Sequence, residues 1–399
     1  MLNAFIALVT VGAGALLLYP RLAQARLWRA AITPLASIIG SGFLVLGPIL
    51  DTSYGKYAPL VMLVLCLMAY CFGAAIRFNI ARRSDDTTTR NGTENSLETV
   101  ASWALAFAYV ISVAYYLNLL GAFAVSMTPF DSAIDAKLVT SAVFVLILII
   151  GWTKGFHALE RVEQVSVGVK LAIIAGLLFG LAWYFVETAV AGDLVVMPAQ
   201  VGGIHALMIF AGLLVTVQGF ETSRYLGADY SASERIRSMK LAQWLATAIY
   251  MIYILLLTYS IEPDARHLSE TAIIDLMAVV APILPLLLIA AAISAQFSAA
   301  VADTGGSGGL IAELTGGRVS TRKGYAVLVA IGLALTWVAS IFEIISYASR
   351  AFALYYAIQS AIAAIGAWQN AGGRPKAVGF AALAVLGIAI AIFGVSAEG

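Results

Sequence analysis

Three groups of residues in this chain place polarity where polarity is costly. The first is Ser37-Ile38-Ile39-Gly40-Ser41-Gly42-Phe43, which follows Pro34 in the middle of an apolar run. Two glycines around a serine weaken a helix, since each costs about 1 kcal/mol relative to alanine. The second is Leu214-Val215-Thr216-Val217-Gln218-Gly219-Phe220-Glu221, where Gln218, Gly219 and Glu221 interrupt another apolar run. The third comprises Lys170, Arg350 and the serines Ser294 and Ser298, whose four-residue spacing puts them on one helix face.

An interrupted helix exposes backbone groups that an intact one satisfies internally. Free N–H groups at the positive dipole end attract an anion, and free carbonyls attract a cation. A zwitterion offers one of each. The N–H groups of Ser41, Gly42 and Phe43 suit a carboxylate, and carbonyls near Ser37, Ile38, Thr216 and Val217 suit an ammonium. The ligand's side chain would then lie toward Gln218 and the tyrosines Tyr109, Tyr115 and Tyr116. Packing is the competing role for those tyrosines, and a small-residue contact is the competing role for the glycines. Glu221 and Arg224 are three apart and can pair; Arg350 can join Glu343 in a gate, or tie its helix in place.

The elements that position these residues must be membrane helices. Of 399 residues, 61% are hydrophobic and 11% charged, and mean hydropathy is +0.93. That excludes a soluble globular enzyme, a disordered chain and a nucleic-acid binder, and no outer-membrane barrel reaches such a mean. Apolar runs bounded by charges or turn residues predict twelve spans: 3–19, 28–50, 57–80, 98–126, 138–153, 165–186, 204–226, 241–261, 279–302, 325–341, 344–367 and 377–396. The polar stretch Arg82 to Glu98 reads as a loop ending in a short helix, Ser269 to Val279 as a capping helix, and Gly305 to Gly309 as a flexible connector. The last lacks the lysine and hydroxyl of a phosphate loop. Cys66 and Cys71, five apart in one run, point off one helical face, which argues against a disulfide. The three histidines form no zinc motif, and no cofactor is implied.

Arg21, Arg26 and Arg29 follow the first span and hold its C-terminal end in the cytoplasm, as an anchor in preference to a cleaved signal peptide. With that orientation 19 of the 23 Lys and Arg fall on the cytoplasmic side, among them Arg90, Lys154 and Arg161, whereas Arg266 is outside. The outer loops hold Asp51, Asp131, Asp135, Glu187, Asp193, Glu262, Asp264, Glu270 and Glu343. One span missed or added would destroy this asymmetry, so both termini are expected outside the cell membrane. The second and seventh spans open successive sets of five, and an odd number per set inverts the second. Interruptions at matching positions of inverted halves point to a transporter binding site.

At these residues the chain resembles the amino acid–polyamine–organocation superfamily of permeases, which share the LeuT fold. Ile39-Gly40-Ser41-Gly42-Phe43 matches the glycine-rich break of the first core helix, and Gly219-Phe220-Glu221 the break of the sixth. Lys170 stands where many proton-coupled or ion-independent members carry a lysine in the fifth core helix. The resemblance implies an all-α, 5+5 inverted repeat over about 28–367, with halves 28–187 and 203–367. Helices in 1–27 and 376–399 are added at the ends. Val215 to Gln218 replace the aromatic residues usual at the second break, and Ala302-Asp303-Thr304 replaces an arginine-bearing helix end.

The expected activity is alternating-access transport of an amino acid or related amine, with Lys170 in the place a sodium ion takes in relatives and with proton coupling or none. A lysine in the membrane is otherwise explained by snorkelling. The alternative is a sodium symporter using Ser294 and Ser298; a membrane scaffold or channel is the reading outside transport. A membrane enzyme would need a nucleophile, metal or acid–base cluster, and the sequence offers none. Partners are then a small solute and the lipid bilayer, with no nucleic acid; oligomeric state is not encoded legibly.

Overall fold

The computed structural model describes residues 1–40, 42–84, 92–153, 160–262, 269–370 and 372–397, with only the backbone of 160–165 and 228. Ser41, Arg90, Lys154, Asp264, Arg266 and the side chain of Arg161 lie outside the described residues. The chain is all-helical. In order come α1 Leu2–Leu17, α2 Pro20–Ala23, α3 Arg26–Ile38, α4 Gly42–Tyr54, α5 Ala58–Arg83, α6 Gly92–Val125, α7 Ala133–Thr153 and α8 Glu160–Ala191. There follow α9 Gly203–Gly212, 3-10 turns at Leu214–Val217 and Phe220–Ala228, then α10 Ala232–Ser260, α11 Ala272–Val280, α12 Leu284–Leu314, α13 Thr321–Val338, α14 Ile341–Trp368 and α15 Arg374–Phe393.

Taking α3 with α4, and α9 with the 3-10 turns, as single broken passes gives the expected twelve. Ten form two units of five, α3 to α8 and α9 to α14. α1 lies against α8, and α15 against α14. α6 is the most enclosed long helix, packed between α12 and α14, and it turns Tyr109, Tyr115, Tyr116 and Asn118 into the core. Capping boxes start two helices: Ser231 with Glu234 for α10, and Ser340 with Glu343 for α14. Cys66 and Cys71 are free thiols.

Three local expectations need correction. The 34-residue α6 is continuous from Gly92, so the short feeder helix and the span are one element. Gly305 to Gly309 are not a connector but the interior of α12. Their lack of side chains lets α12 approach its neighbours: Gly306 faces the Tyr109 ring, Gly308 faces Tyr325, and Ser307 donates to Ala106 O at 3.2 Å. Asp51 is not in a loop; it is on α4 and only 2% exposed.

Candidate functional site

Both interruptions are real, and they meet. α3 ends at Ile38, Ile39 leaves helical geometry (φ −84°, ψ 37°), and α4 begins at Gly42. In the second, Gln218 is extended (φ −80°, ψ 174°) and Gly219 has φ +114°, which side chains rarely adopt. A Cβ on Gly42 would stand 2.6 Å from Thr216 Cα, and one on Gly219 2.5 Å from Ser37 Oγ. Two reciprocal glycine contacts thus let the broken segments touch backbone to backbone.

The backbone groups released by the breaks are capped by side chains from other helices. The Tyr250 hydroxyl of α10 stands 2.8 Å from Ile38 O and 2.7 Å from Thr216 O, so it bridges the two breaks. A hydroxyl has one proton, so it satisfies one carbonyl fully at a time. These are two of the carbonyls expected to receive an ammonium. Ser349 of α14 accepts from Val215 N at 2.9 Å and donates to Gly212 O at 2.6 Å. Glu221 Oε2 accepts from Gly219 N at 2.9 Å and from the Tyr356 hydroxyl at 2.8 Å. Gln218 Nε2 donates to the Tyr116 hydroxyl at 2.9 Å, while Gln218 Oε1 and Glu221 Oε1 are buried without a partner.

Aromatic rings close the remaining space. Phe43 lies against Tyr253 and Tyr250, with centroids 4.4 and 5.7 Å apart, and Phe220 stacks on Tyr356 at 5.0 Å. Tyr115 packs on Tyr116 at 5.4 Å, and Tyr116 is the ring whose hydroxyl reaches Gln218. Ile38, Val217 and Tyr250 border a residual cavity of about 10 Å³, too small for a solute. Packed breaks define this conformation.

Lys170, buried on α8, donates from Nζ to Ala36 O in the last turn of α3 at 2.8 Å. Its aliphatic stem therefore leads to the first break and not out to the interface. Lys170 borders a cavity of about 30 Å³ with Ser37, Ser166, Thr222, Ser298 and Asp303. Ser294 does not line that cavity but meets its edge through Ser166, their hydroxyls 2.5 Å apart. Asp303, also buried, accepts from Ser112 of α6 at 2.5 Å.

Two expected pairings are absent among the described residues. Arg224 pairs with Glu98 and Gln359, because Glu221 turns back to cap Gly219 N. Arg350 does not meet Glu343, nor does it reach the breaks. Its Nε donates to Ala391 O of α15 at 2.8 Å, while Glu343 closes the α14 capping box, so Arg350 is a tie and not a gate. At the arginine-rich end, Asn79, Arg83, Glu98, Arg224, Arg235 and Glu313 line a vestibule of about 510 Å³.

Sequence reasoning missed Tyr250, Ser349, Tyr356 and Asp303. Asp303 carries a signal, as a carboxylate inside a membrane helix, but the apolar span 279–302 stops short of it whereas α12 runs on to Leu314. The tyrosines carried none, since apolar helices contain many.

A family model described as APC superfamily transporter matches residues 20–394. An uncharacterized protein of Aquifex aeolicus (strain VF5) is 42% identical over 391 residues, covering 96% of this chain and 94% of that one. Among solved structures, a mutant manganese transporter of Eremococcus coleocola superposes with a TM-score of 0.56 at 12% identity, covering 92% of this chain and 87% of that one. That likeness is one of fold. With the family match spanning nearly the whole sequence, the chain belongs to the APC superfamily of transporters.

Proposed function

We propose that this chain is a secondary active transporter for an amino acid or related amine, working in the cell membrane with its arginine-rich end in the cytoplasm. The observation that carries the reading is the contact between the breaks, Gly42 on Thr216 and Gly219 on Ser37. In the open arrangement the same backbone would offer Gly42 and Phe43 N–H groups to a carboxylate. It would offer the Ile38 and Thr216 carbonyls to an ammonium, once the Tyr250 hydroxyl lets go.

Lys170 is the coupling residue in this reading. Its ammonium occupies the place beside Ala36 O that a cation would need, so transport proceeds without sodium and responds to a proton gradient or to none. Ser298 and Asp303 on the same cavity favour a second reading, in which Lys170 withdraws and a sodium ion takes oxygen ligands there. For the neighbour's manganese the support is weaker: among the described residues no three of His, Cys, Asp and Glu come together. The test is uptake of labelled amino acids and amines into proteoliposomes, with proton and sodium gradients imposed separately, for wild type and Lys170→Ala. Sodium-free uptake whose pH response is lost in the variant supports the assignment. Strict sodium dependence, abolished by Ser298→Ala, overturns it.

A further inference from the structure

A second buried polar site stands apart from the breaks, toward the end assigned outside. Asp51 projects from α4 with 2% exposure, and neither carboxylate oxygen meets a donor in hydrogen-bonding geometry. Its polar neighbours come from α10: Thr258, which interacts with the carboxyl group, and Tyr253. Both hydroxyls are buried, and apart from the Thr258–Asp51 contact neither they nor the carboxylate meet a hydrogen-bond partner. Buried polar groups are nearly always satisfied, so a carboxyl and two hydroxyls left this short of partners mark a place that holds something small.

The surroundings say what. Among the described residues, Tyr253 is the titratable group that interacts with Asp51 from α10. α11, packed on α4, turns Ile273, Ile274 and Met277 inward and leaves Asp275 exposed, and Lys56 after α4 is exposed. α5 contributes Ala58 and Met62, and the Leu214–Val217 turn brings no ionisable group. Among the described residues no cationic side chain faces Asp51, so an ionised carboxylate there would lack a counter-charge from them, whereas a carboxylic acid needs none. We propose that Asp51, Thr258 and Tyr253 form a proton-binding site in the outer half of the bundle, with Asp51 held as the neutral acid while the breaks are packed together.

The geometry joins this site to the breaks. The Tyr253 ring packs at a tilt on Phe43, the first side chain of α4 after the break. The outer connector is tied over the site: Gln200 and Val201 N–H groups both reach Ser53 O, and Val195 N reaches Tyr259 O. Release of the proton would draw water in beneath residues 195–201, and the resulting carboxylate would disturb the Tyr253–Phe43 packing. The inference builds on the orientation and transport reading above, but its readout needs no solute, so the two can fail separately.

The test is infrared difference spectroscopy of the purified full chain in lipid at neutral pH. Wild type should show the carbonyl band of a protonated carboxyl that Asp51→Asn lacks. Thr258→Val, which keeps the carboxyl, should move that band without removing it. Equal band areas in wild type and Asp51→Asn would overturn the proposal. So would a band position untouched by Thr258→Val and Tyr253→Phe. Thermal stability of the wild type in sodium chloride against choline chloride supplies a measurement independent of folding of the variants. Equal midpoints support a proton, and a sodium-specific rise that persists in Ser298→Ala, which removes a ligand of the other candidate cation cavity, overturns it in favour of a metal cation.

Discussion

Replacing Gly219 by alanine tests the contact between the broken helices most directly. Alanine at φ +114° costs about 1–3 kcal/mol in backbone strain. Its Cβ would also fall 2.5 Å from Ser37 Oγ, 2.6 Å from Ser37 Cβ and 2.7 Å from Ile38 N. The last is backbone and cannot rotate aside, so overpacking adds about 1–3 kcal/mol. Together they disfavour the packed arrangement by about 2–6 kcal/mol, which is roughly thirtyfold or more at 1.4 kcal/mol per decade. Hydrogen exchange read by mass spectrometry suits this change, because peptides covering 35–43 and 213–221 report the two breaks while α7 and α13 peptides serve as internal references. Exchange in the break peptides should accelerate by at least that factor, with the references unchanged. Wild-type exchange at both breaks would falsify the reciprocal glycine contact.

Tyr250→Phe should lower thermal stability by about 1–3 kcal/mol, because the Ile38 and Thr216 carbonyls lose the one donor they share. The same variant should bind a zwitterionic solute up to about tenfold more tightly, since the ammonium no longer displaces a hydroxyl; weaker half-saturation in uptake would make Tyr250 a ligand instead of a competitor. Glu98→Gln should destabilise the arginine-rich end by about 3 kcal/mol at most by leaving Arg224 under-compensated. Adding Arg224→Gln should recover much of that in a double-mutant cycle, and strict additivity would count against the pair. Gly309→Ala, whose Cβ meets nothing within 4 Å, should raise the melting temperature through a helix-propensity gain of about 0.5–1 kcal/mol; a fall would contradict a helical 305–309 segment.

The path of the chain was legible because apolar runs and the placement of arginines are properties of single segments. Both breaks were legible for the same reason: Gly40, Gly42, Gln218 and Gly219 contradict their own surroundings. What closes the breaks was not. Tyr250, Ser349 and Tyr356 reach them from α10 and α14, and no local pattern distinguishes a tyrosine that caps a distant carbonyl from one that packs. Gly305 to Gly309 misled because a run of glycines signals looseness in water but close helix contact in a membrane. Arg350 misled because its nearest carboxylate in sequence, Glu343, was already committed to its own helix cap.

The first helix has a mechanical consequence. α1 seats Ile6 and Thr10 against Gly176 and Gly180 of α8, the helix that carries Lys170. Such a glycine seam makes the pair a single lever: when α8 tilts, α1 must sweep through lipid with it. Lipid packed against α1 therefore bears on α8 through the seam, and with it on the lysine's contact with Ala36.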